Sequence, residues 1–159
     1  MQTFLPYPSK RESLDALDNK RLNKQILETY QILNILTGNS KSGAWRNNPA
    51  VLMWEGAESE LYRYGMTAIV LAEMRGIKTD KNKANMHALS RSRKSLIWED
   101  NQPLWAKTPS ILKRVTATHK ANLYRKDPIY YASFASSVDD PNNKPCCTDC
   151  KYFWVTHTL

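Results

Sequence analysis

Apolar positions recur along this chain with the period of an α-helix. They do so most clearly over Ser13 to Leu36, SLDALDNKRLNKQILETYQILNIL, a stretch without internal Pro or Gly that is followed by Thr37-Gly38. At about 100° per residue, Leu14, Leu17, Ile32 and Ile35 share one sector. Leu22, Ile26, Tyr30 and Leu33 form a neighbouring stripe, and Gly38 stands where a left-handed C-terminal cap belongs. Arg21, Lys24, Gln25 and Glu28 interrupt the first stripe at i, i+3, i+4, i+7 spacing, so they project from one face at mid-helix. Four polar groups inside an apolar stripe need partners. Two arrangements supply them: an ion pair of Glu28 with Arg21 or Lys24 that joins helices, or a catalytic carboxylate with basic and amide neighbours in a cleft.

The same pattern predicts the remaining elements. MQTFLPYPSKRE is extended by Pro6 and Pro8, and Ser9 to Glu12 fits a capping box. Gly38 to Asn48 is a loop in which Trp45-Arg46 is either a solvent-facing connection or a base-stacking, phosphate-holding pair. Asn48 and Pro49 start a core helix that runs to Arg75, with Gly56 and Gly65 marking a bend or a close approach. Ile77 to Ser95 is polar and basic, with a short helix over Asn82 to Ser92. Thr108-Pro109 opens a second basic helix, ended by Pro128 and carrying Lys113, Arg114, His119 and Lys120. His119 there is a packing histidine or a functional one. Tyr130 and Tyr131 follow as a core anchor or a stacking surface. These elements predict an all-α fold, a single compact bundle of about three main helices plus short helices and long loops. Residues 1–135 form the helical domain, and the Cys-containing tail 136–159 packs on it.

At 159 residues the chain suits one well-cored domain. Lys and Arg outnumber Asp and Glu by 23 to 15, a net charge of +8 that favours a polyanionic partner such as nucleic acid. No apolar run approaches the ~18 residues of a membrane span, and MQTFLPYP lacks a signal-peptide pattern, so a cytoplasmic, monomeric protein is expected. Cys146, Cys147 and Cys150 are an odd cluster and a poor disulfide framework. With His157 they have part of the spacing of a zinc site, but one CxxC lacks the second pair, and reduced thiols are expected.

With those residues in view, the chain resembles the pyrimidine-dimer DNA glycosylases, the phage endonuclease V-like family with its small bacterial members. The likeness rests on LDNKRLNKQILETYQIL, on NPAVLMWEGAESELYRYGMTAIVLAEMRG and on a basic helix leading into KDPIYY. It is nearest to members that begin MQTFLPYP and carry GWRNHPAVxMW, here GAWRNNPAVLMW. The resemblance implies a compact all-α domain that acts on double-stranded DNA without metal or other cofactor. An amine attacks the sugar C1′, giving an imine, and a glutamate, at Glu28 here, assists base excision and strand cleavage. It further implies that Arg21, Lys24 and Arg46 hold phosphates. Gln25, Trp45, Lys113, Arg114, His119, Lys120, Tyr130 and Tyr131 complete the expected DNA-facing set. An α-amine, with an ordinary pKa near ~8, is readier to attack than lysine near ~10.4. In the phage enzyme that amine is exposed when the initiator Met is removed before a small residue. Gln2 is too large for this, so the amine here is Met1 itself, a lysine such as Lys24, or absent. A different damaged or modified pyrimidine, and a non-catalytic nucleic-acid-binding module, are the competing functions.

Overall fold

A computed structural model describes residues 1–40 and 43–156 and is all-helical, with no strand among those residues. The principal elements are α1 (Lys10–Asp15), α2 (Asn19–Leu36), α3 (Pro49–Leu52), α4 (Glu58–Met74), α5 (Asp80–Ser92), α6 (Ser95–Trp98), α7 (Leu104–Lys107) and α8 (Pro109–Lys126). Short 3-10 turns occupy Gly43–Trp45 and Ala132–Val138. His157 lies outside the described residues.

Two stretches that read as single helices are each divided. Asp18 turns out to N-cap α2: its Oδ1 accepts the Arg21 amide at 3.0 Å, and its backbone is extended. The carbonyls freed at this break are met from the C-terminal cap of α4, where Arg75 donates to Leu17 O and Asp15 O, each at 2.6 Å. The Asn48–Arg75 helix is likewise divided, at Gly56, whose φ of +79° is left-handed. The predicted ends hold. Gly38 adopts φ +76°, with Asn39 N–H to Asn34 O at 2.8 Å and Gly38 N–H to Ile35 O at 3.2 Å, the paired bonds of a Schellman motif.

The core is the contact of α2 with α4, flanked by α1, α5 and α6. Leu14, Leu17, Leu22, Ile26, Ile32, Leu33, Trp54, Leu61, Tyr64, Ile69 and Met86 are fully buried, each apolar side chain contributing about 1.5–3 kcal/mol of transfer free energy. Gly65 permits the closest approach: a Cβ there would lie 2.6 Å from Thr29 Cγ2 and 2.8 Å from Met86 Cε. The tail returns across α8. Phe153 N–H donates to Thr118 Oγ1 at 3.2 Å, Asn122 donates to the Lys151 carbonyl, and Val155 is buried. Cys147 and Cys150, with Cα atoms 5.2 Å apart, are joined as a disulfide. This differs from the reduced thiols expected, because the tight turn of the CxxC brings the pair into bridging range. Cys146 is free and exposed.

Candidate active site at the pinned N-terminus

The N-terminal arm makes no regular structure, so its backbone groups need partners from elsewhere. Buried side chains fasten the arm. Gln25 accepts the Phe4 amide on Oε1 at 2.9 Å and donates from Nε2 to Gln2 O at 3.0 Å. The Tyr64 hydroxyl lies 2.9 Å from Phe4 O and 2.7 Å from Gln25 Oε1, so its one proton serves either acceptor. Trp54 Nε1 donates to Thr3 Oγ1 at 3.0 Å. His119 Nδ1 accepts the Leu5 amide at 2.7 Å, which leaves the proton of the neutral ring on Nε2. Burial depresses the His119 pKa to about 3, which preserves that accepting nitrogen. Glu28 joins them: its Oε2 accepts the Gln2 amide at 3.2 Å and lies 3.4 Å from Gln25 Nε2.

Glu28 is therefore held rather than merely buried. Its Oε1 is 3.5 Å from Lys24 Nζ, a loose contact to a side chain that is 65% exposed. Arg21 does not pair with it: Arg21 Nη1 binds Asp18 Oδ2 at 2.6 Å, and its guanidinium sits 5.4 Å from the Tyr131 ring centre. Two clefts open on either side of Glu28. One, of about 420 Å³, is walled by Phe4, Lys20, Arg21, Lys24, Lys126, Tyr152 and Trp154. The other, of about 550 Å³, has Tyr30, Gln31, Asn34, Asn39 and the half-exposed Trp45. Met1 and Glu28 line both clefts and form the ridge between them.

Several expected DNA-facing residues have other positions. Gln25 and His119 are fully buried and Tyr131 is 1% exposed, so none offers a surface to DNA. The first two fasten the arm. Tyr131 donates to Asp18 Oδ2 at 2.6 Å and stacks on Phe134. Arg114 lies 3.7 Å from the Phe153 ring centre and donates to Lys144 O at 3.0 Å. Lys120 lies over the rings of Tyr7 and Phe134. Both are spent on holding tail and arm to α8. Lys113 is exposed, Tyr130 is 53% exposed beside Tyr131, and Arg46 lines a separate cleft with Glu55 and Glu58. The residues sequence reasoning missed are Lys20, Lys126, Tyr152 and Trp154. The aromatic run Tyr152–Trp154 was visible in the tail, but nothing local tied it to Glu28.

The fold and site thus define a small helical protein in which one held carboxylate, Glu28, lines two clefts, one of them rimmed by cations. A profile of the pyrimidine dimer DNA glycosylases matches residues 1–85, more than half of the chain, and the protein belongs to that family. The matched segment contains the arm, α1 to α4 and the start of α5, and so includes Met1, Gln25, Glu28 and Tyr64. The basic helix and KDPIYY lie beyond it. Comparison with curated proteins and with solved structures brings no match.

Proposed function

We propose that this protein excises cyclobutane pyrimidine dimers from duplex DNA and cleaves the strand at the resulting abasic site, through an imine between an N-terminal amine and the sugar. The observation that carries this is the Glu28 carboxylate fixed against the Gln2 amide, with Met1 beside it on the ridge between two clefts. The amine lone pair attacks C1′, and the C1′–N bond breaks with its electron pair leaving on the base, which takes up a proton. Loss of the amine proton and opening of the sugar ring give the imine. Removal of a proton from C2′ then expels the 3′ phosphate. In this reading Glu28 accepts the amine proton and stabilises positive charge developing on the sugar. Arg21, Lys20 and Lys24, which line the cleft, hold phosphates in this reading, and a dimer, being poorly paired, costs less to open than intact duplex. No step here calls on a metal.

The test is an end-labelled duplex with one thymine dimer at a defined position, incubated with the protein in the presence and absence of borohydride. Expected are strand cleavage at the dimer and a covalent adduct absent from undamaged duplex. Activity on another modified pyrimidine but not on the dimer would change the base. Salt-sensitive retention with neither product would make the protein a binding module.

A further inference from the structure

The cleft that holds Glu28 contains more than one amine. Besides Met1 it is lined by Lys20, Lys24 and Lys126, and these lysines are not equivalent. Lys24 lies 3.5 Å from Glu28 Oε1 as its ion-pair partner. Lys20 stands exposed in the first turn of α2. Lys126, the last residue of α8, lines the cleft together with Tyr152. Both also line the adjoining cleft of about 460 Å³, where Arg125 and Lys151 lie and no carboxylate does. Among the described residues no carboxylate or hydrogen-bond acceptor engages the Lys126 amine.

We propose that Lys126 is a second imine-forming amine of this cleft, condensing with the C1′ aldehyde of a ring-opened abasic sugar. The inference rests on the glycosylase reading above and adds to it the residue that handles the abasic product. In the condensation the Lys126 nitrogen forms a bond to C1′, the aldehyde oxygen leaves as water after taking up two protons, and an imine remains. Abstraction of a C2′ proton and loss of the 3′ phosphate then follow as for any such imine. Only a neutral amine attacks, and the surroundings favour that form. Desolvation against the cleft wall, and then the charges of Arg21, Lys24 and Lys151, lower the Lys126 pKa, with Glu28 the opposing influence. The same cations suit the flanking phosphates.

The experiment uses duplex carrying one preformed abasic site, cyanoborohydride, and the full chain in four forms: unaltered, N-terminally acetylated, Lys126→Arg, and acetylated Lys126→Arg. Arginine keeps the charge but offers no amine nucleophile, and the exposed end of a helix tolerates it. Adducts are located by peptide mass. Expected are adducts on both the Met1 and Lys126 peptides of the unaltered chain, on Lys126 alone after acetylation, and on Met1 alone in Lys126→Arg. Trapping should fall to background when both changes are combined. An unaltered chain trapped only at Met1, Lys20 or Lys24, with the Lys126 peptide unmodified, overturns the role of Lys126 and leaves the amine chemistry standing. No adduct from any form contradicts the amine chemistry itself.

Discussion

At the scale of single residues, the polar interruption of the first α2 stripe separates into distinct tasks. Gln25 is a structural clamp: it gives both amide ends to the backbone of Gln2 and Phe4. Gln25→Leu keeps the volume but leaves Phe4 N–H and Gln2 O without partners, at about 1–3 kcal/mol for a buried unsatisfied group. Loss of excision together with a lower melting temperature, both recovered in part at reduced temperature, is the expected signature. An unchanged melting curve would show that the arm is held by other contacts. His119 makes a pH prediction. Its folded pKa of about 3 lies below its unfolded value of 6.5, so the unfolded chain binds the extra proton between them. Its contribution is therefore complete above pH 6.5 and is lost as pH falls toward 3, at up to about 1.4 kcal/mol per unit. His119→Asn should remove this part of the acid sensitivity in denaturant titrations between those limits. A variant as acid-sensitive as the parent would contradict it.

At the scale of elements, Gly65 fixes how closely α4 sits on α2. Adding a methyl group drives it into Thr29 and Met86, so Gly65→Ala should cost about 1–3 kcal/mol by overpacking. A neutral effect in equilibrium unfolding would mean that the two helices part without penalty. Much at this scale was legible beforehand. Gly38 as the cap of α2, Pro49 and Pro109 at first helical positions and the stop before Pro128 are local signals with local causes. The α1–α2 break was not legible, because it contains neither Pro nor Gly. It depends on Asp18 meeting Tyr131 from 113 residues away and on Arg75 meeting the freed carbonyls. The pinned arm was hidden for the same reason. Gln25 and Glu28 stood out in the pattern, but Tyr64, Trp54 and His119 acquire their roles only through tertiary contact.

At the scale of the whole molecule, the basic side chains of α8 do not form one surface. Arg114 and Lys120 are engaged with aromatic rings, whereas Arg125, Lys126 and Lys151 line the cleft beside the Glu28 site. Changing Arg125 and Lys151 together to Gln should weaken binding to any duplex and reduce the slope of log affinity against log salt by about 2. Arg114→Gln should instead lower the melting temperature and leave that slope alone. The reverse pattern would move the DNA path to the other end of α8. Everything nonetheless converges on one carboxylate, and Glu28→Gln tests it most directly. The substitution keeps size and helix propensity and lets the amide oxygen still accept the Gln2 amide, so folding and affinity for dimer-containing duplex should persist. Single-turnover excision, measured with melting temperature and affinity on one preparation, should fall by about two orders of magnitude or more. A well-folded Glu28→Gln protein that excises dimers at the parental rate would contradict a catalytic Glu28.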